Sequence, residues 1–264
     1  MSMEANKILE ALRPRACSRR RMNIFYLIDT SGSMSANGCM ASVNESMPGI
    51  IEMLRDVSSG NKDHGEIYVN TITFSDAAQT QYPAPVPASQ YRWQTLTAHG
   101  MTNLGEAFNL LLKQLHDCTD TGGMLRPAIV LLTDGNPDPG WEEALDRLSD
   151  NDLFSQAYKI SIALGGDAGN VAMRRALRRF AGTGVGSERP NIVGIDQLDK
   201  LRDILRIVSA TVSRIGSQTA APAAPAQDSD YVNNLIHNVL LDSSGDISGV
   251  SIPEINSDSD IWAI

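Results

Sequence analysis

Apolar and polar positions along this chain come in blocks. Residues 24–28 form a continuous apolar pentamer, Ile24 to Ile28, the pattern of a strand buried on both faces. Residues 42–57 read as a helix interrupted at its middle by Pro48 and Gly49. Residues 68–74 are β-branched and aromatic and read as the next strand. Leu104, Ala107, Phe108, Leu111, Leu112 and Leu115 then recur at helical spacing, an amphipathic stripe. A strand at 128–132, an acidic short helix at 141–148 and a strand at 160–164 follow. Met173, Ala176, Leu177 and Phe180 mark the inner face of another helix. A last strand covers 191–195, and Leu198, Leu201, Leu205, Val208 and Val212 form the stripe of a closing helix.

Near-continuous apolar strands alternating with helices predict an α/β fold. It is a doubly wound, mostly parallel central sheet with helices on both faces. Ligands of such folds sit beyond the carboxyl ends of the strands. The chain divides into a basic arm at 1–21, a folded domain at 22–215, an Ala/Pro linker at 216–227 and a flexible acidic tail at 228–264.

Charge sharpens that division. The net charge is −9, and seven of the 31 acids lie in residues 228–264, which hold no Lys or Arg. The remaining 24 acids face 22 bases, so the folded part is close to neutral, the wrong balance for a nucleic-acid binder. Aromatic residues are only 5%, which also argues against a base-stacking platform. Cys17, Cys39 and Cys118 form no CxxC pair and are expected to be reduced thiols. The arginines before Met22 lead into an apolar run too short for a signal peptide. No segment approaches the roughly 18 apolar residues of a bilayer-spanning helix. A soluble, cytoplasmic protein with no membrane partner is expected.

The chemistry clusters directly after the strands. Asp29-Thr30-Ser31-Gly32-Ser33-Met34 follows the first, and Thr133-Asp134-Gly135 follows the strand at 128–132. Gly100-Met101-Thr102-Asn103-Leu104-Gly105 opens the long amphipathic helix. Asp29, Ser31, Ser33, Thr102 and Asp134 make an all-oxygen donor set suited to a hard cation. Magnesium takes about six oxygens near 2.1 Å and keeps waters, which fits so few protein donors. Manganese and calcium accept oxygen ligands as well. With only two carboxylates, a bound ion stays electrophilic and keeps a position open to a partner's carboxylate.

Together the three segments resemble the metal-ion-dependent adhesion site of the von Willebrand factor type A domain, over roughly residues 22–215. The resemblance implies direct coordination by Ser31, Ser33 and Thr102, with Asp29 and Asp134 acting mainly through water. "LIDTSGSM" and "LLTDGNP" are most similar to the TerY-like proteins of bacterial tellurium-resistance and stress operons. That likeness implies a Ser/Thr kinase and a metal-dependent protein phosphatase as neighbours.

Other readings start from other residues. A phosphohydrolase of the haloacid-dehalogenase type needs a second Asp two residues after the first, where Ser31 stands. His99 is the histidine nearest a motif segment, and a lone His near a turn is ordinarily a capping or solvated residue. No enzymatic activity is expected. A tail-driven scaffold would use Leu235, Ile236, Val239, Leu240 and Leu241 as a docking helix, with Ser257 and Ser259 as phosphate acceptors. Asp258 or Asp260 would alternatively fill the open metal position of the same or another copy. Arg174, Arg175, Arg178 and Arg179 lie opposite the apolar face of their helix and read as a solvated surface.

Overall fold

The apolar pentamer lies at the centre of a strand nine residues long. The computed structural model describes residues 21–36, 38–60, 66–118, 124–165, 171–182, 192–195, 201–203, 205, 206, 209, 250 and 251. Among these residues eight strands form one sheet: β1 (Arg21–Asp29), β2 (Glu66–Phe74), β3 (Ala78–Thr80), β4 (Val86–Pro87), β5 (Ala128–Thr133), β6 (Tyr158–Leu164), β7 (Ile192–Ile195) and β8 (Val250–Ser251). Their order is β3-β2-β1-β5-β6-β7-β8, with β4 also pairing β2. The five long strands run parallel, and β3, β4 and β8 pair antiparallel at or near the margins. From β1 the chain moves to one side for β2 and returns to the other side for β5. The crevice between the ends of β1 and β5 is therefore the topological switch point.

Alternate residues of β1 enter different cores. Ile24, Tyr26 and Ile28 face α2 (Cys39–Gly60) through Val43, Met47, Ile50 and Leu54, with Leu201 and Leu205 on the same side. Phe25 and Leu27 face α3 (Leu104–Cys118), α4 (Trp141–Ser149) and α6 (Val171–Ala181) through Phe108, Leu111, Leu145, Leu177 and Phe180. Burying each such side chain is worth roughly 1.5–3 kcal/mol, which explains why both faces are covered. Phe180 packs 5.7 Å from Phe108 and 5.8 Å from Phe154, ring centre to ring centre. The two short helices are α1 (Ser33–Ala36) and α5 (Asp152–Gln156). Residues 201–203, 205, 206 and 209 are helical, and the Tyr26 hydroxyl meets the Ser209 hydroxyl at 2.7 Å.

Several expectations change in detail. The helix expected at 42–57 is α2, which begins at Cys39 and runs unbroken through Pro48. Pro48 lies on the solvent side, where a carbonyl deprived of its N–H partner can turn to water. Arg21, assigned above to the basic arm, is the first residue of β1. Its guanidinium stacks 3.8 Å from the Tyr68 ring centre and donates to Asn23 at 2.9 Å. The arginine face of α6 is partly engaged by α4: Arg179 pairs with Asp146 at 2.6 Å and Arg175 with Glu142 at 3.7 Å. Cys39 and Cys118 are buried thiols outside any disulfide, and the Cys118 sulfur accepts from the Asn23 side-chain amide at 3.4 Å.

Of the acidic tail, Val250 and Ser251 pair antiparallel with Ile195 and Gly194. Residues 1–20, the linker, Cys17, Leu198, Val208, Val212 and the remaining tail positions lie outside the described residues. Among the described residues no helix is long and apolar enough to cross a membrane.

Candidate metal centre

The site is built by three turns at the carboxyl edge of the sheet. β1 ends at Asp29, and the following turn carries Ser31 and, at the start of α1, Ser33. β5 ends at Thr133, placing Asp134 and Gly135 beside that turn. Thr102 comes from the irregular segment between Tyr91 and Asn103. Asn44 of α2 pins this segment, accepting from the Leu96 amide at 2.9 Å and donating to its carbonyl at 2.9 Å.

All five candidate side chains come together. Asp29 is fully buried; its Oδ1 accepts the Ser31 amide at 2.7 Å and its Oδ2 accepts the Thr133 hydroxyl at 2.5 Å. The Ser31 and Ser33 hydroxyls are 3.0 Å apart, and Ser33 donates to Asp134 Oδ1 at 2.7 Å. Asp134 Oδ2 is buried and has no hydrogen-bond partner among the described residues. Gly135 marks the middle of the group. A Cβ there would stand 3.4 Å from Ser33 Oγ, 3.5 Å from Thr102 Oγ1 and 3.9 Å from Asp29 Oδ2. The glycine thus leaves a small oxygen-lined space that any side chain would enter.

Burial raises both carboxyl groups, and Asp29 is pushed up to about 6. The hydroxyl and amide donors around Asp29 oppose that rise, while the neighbouring Asp134 adds to it. Two buried carboxylates and three hydroxyls around one space, with one carboxylate oxygen orphaned, fit a hard divalent cation. Among the described residues no three His, Cys, Asp or Glu side chains cluster as a metal site, so the hydroxyls are essential to this donor set.

The model of the von Willebrand factor type A domain family matches residues 23–205. The chain belongs to that family. Its members commonly act as protein-interaction modules. No curated protein matches this type A domain protein.

Solved structures share its fold at low identity. A von Willebrand factor type A protein from Catenulispora acidiphila is 18% identical, with a TM-score of 0.55 over 74% of this chain and 43% of its own. The pilus adhesin SpaC from Lactobacillus rhamnosus GG, in its open conformation, is 13% identical with a TM-score of 0.58, over 75% and 30% of the two chains. The PilB minor pilin from Streptococcus sanguinis is 15% identical with a TM-score of 0.53, over 77% and 64%. This chain therefore spans less than two thirds of each of these structures.

Two residues of the type A domain act at the site without having been singled out in sequence. Thr133 holds Asp29 from the last position of β5, and Asp76 accepts the Met101 amide at 2.9 Å. The TDG triplet already contains Thr133; its polar side chain at the end of an otherwise apolar strand was the available signal. Asp76 carries no such mark. His99 contacts the edge of the site by its backbone, donating to the Thr30 carbonyl at 2.7 Å, while its Nδ1 lies 3.4 Å from the Ser75 hydroxyl.

Proposed function

We propose that this type A domain is a protein-interaction module that holds a divalent cation, magnesium in the first place, among Asp29, Ser31, Ser33, Thr102 and Asp134. The bound cation supplies Lewis acidity toward an Asp or Glu carboxylate of a partner protein. Asp29 and Asp134 offset the cation's charge, and the three hydroxyls add neutral oxygens that leave it electrophilic. Thr133 and the Ser31 amide fix Asp29, so the site is organised before any ligand arrives. The observation that carries this reading is the orphaned, buried Asp134 Oδ2 beside the oxygen-lined space at Gly135. No covalent step by this chain belongs to the proposal. The likeness of "LIDTSGSM" and "LLTDGNP" to TerY-like proteins supports a cytoplasmic bacterial stress or signalling setting, with a Ser/Thr kinase and a metal-dependent protein phosphatase as partners.

The test is capture from host lysate, in magnesium and in EDTA, with wild type, Asp29→Ala, Thr102→Ala and a chain ending at Gln227 as baits. A protein retained by wild type only in magnesium, and lost from both point variants while they stay folded by circular dichroism, is the expected result. Equal capture by wild type and both point variants at saturating magnesium would sink the mechanism. Loss only on truncation would transfer recognition to the tail.

A further inference from the structure

We infer that Asp76, which lies outside all three motif segments, positions the Thr102 loop and thereby sets the affinity of the centre for its cation. The inference rests on the metal reading proposed above and adds a residue to it.

Thr102 is the one candidate donor supplied by a long irregular segment, and a hydroxyl on such a segment binds only as well as its backbone is held. Residues 99–103 are tied to the ends of β1 and β2. His99 donates to the Thr30 carbonyl at 2.7 Å, the Gly100 carbonyl accepts from the Gly32 amide at 3.1 Å, and Asn103 donates to the Ser75 carbonyl at 2.8 Å. The Thr102 carbonyl also accepts from the Asp138 amide at 3.0 Å, and one further tie differs in kind. The Met101 amide, next to Thr102, donates to a side chain, Asp76 Oδ1, at 2.9 Å.

Gly100 makes room for that carboxylate. Its φ is +74°, a conformation that side chains other than glycine's rarely adopt. A Cβ at Gly100 would lie 2.6 Å from Asp76 Cγ and 2.8 Å from Oδ1, and closer still to Oδ2. The Asp76 carboxyl group therefore occupies the space that a side chain at position 100 would need. Two independent features, a left-handed glycine and a carboxylate acceptor 24 residues earlier, complete each other.

The consequence is a division of side chains at the site's rim. Met101 is 62% exposed, whereas Thr102 is buried with its hydroxyl near the space at Gly135. Among the described residues, Asp76 hydrogen-bonds to none of the five candidate donors, so it acts on them only through the loop.

The test uses the full chain as wild type, Asp76→Ala and Asp76→Asn. Magnesium and manganese are titrated by calorimetry, and amide exchange of the metal-free proteins is followed by NMR. Asparagine keeps a side-chain oxygen for the Met101 amide; alanine does not. Asp76→Ala is expected to weaken cation binding by about ten- to a hundredfold and to speed exchange at Met101, with β1 and β5 still protected. Asp76→Asn is expected to bind within a few-fold of wild type, with Met101 protected.

Unchanged affinity in Asp76→Ala overturns the inference while leaving the metal centre in place. Equal loss in both variants overturns it too, because charge rather than the loop contact would then be at work. A wild type that binds neither cation overturns the metal reading itself, and with it the inference.

Discussion

A single methyl group probes the oxygen cluster most directly. In Gly135→Ala the new carbon would stand among Ser33, Thr102 and Asp29 at ordinary contact distances, so the fold tolerates it while the ligand space is filled. Cation affinity is expected to fall by roughly tenfold or more, with little change in the urea midpoint. Acidity gives a second handle on the same residues. Burial raises Asp29 to about 6 and raises Asp134 as well, so the folded, metal-free protein holds protons that the unfolded chain releases. Its stability should therefore decline as pH rises from about 4 through about 6. A cation must displace those protons, so the rise in Tm produced by magnesium should grow over the same interval and level off above it. Thermal scans with and without magnesium at pH 5 and pH 7.5 check both signs. The five candidate side chains could be grouped from sequence because each belongs to a short motif next to a strand end or helix start. Asp76 was not, because it acts on the backbone of a loop that only folding brings near.

Among the elements, α2 departs most from its sequence pattern. Pro48 and Gly49 predict an interruption, yet 22 residues are helical from end to end. Both lie on the solvent side, and the buried stripe of Val43, Met47, Ile50, Ile51 and Leu54 outweighs their poor propensity. Since a Cβ at Gly49 meets nothing within 4 Å, Gly49→Ala should stabilise the protein by about 0.5–1 kcal/mol, read as a shift of the urea midpoint. The five long strands and the helices that face them were legible because their periods extend over many residues. The marginal strands were not: β3 has three residues and β4 and β8 two each, too few to establish any alternation. α5 has five residues and is defined chiefly by Asn151, whose side chain accepts the Phe154 amide at 3.0 Å.

At the scale of the whole molecule, charge and chain ends were the least legible. The arginines of α6 read in sequence as a solvated face, but two of them pair with α4. These pairs join exposed or half-exposed side chains, so they contribute little to stability and weaken with salt. The family match ends at residue 205, yet the bond from Tyr26 to Ser209 crosses that limit. Tyr26 is fully buried on the central strand, and its hydroxyl would lose this partner in a chain cut after 205. Such a chain should be less stable than one cut after 215 by about 1–3 kcal/mol, and Tyr26→Phe should narrow the gap between them in urea unfolding. The interior of this domain thus reaches past the end of the family match: a phenol on the first strand meets a hydroxyl four residues beyond it.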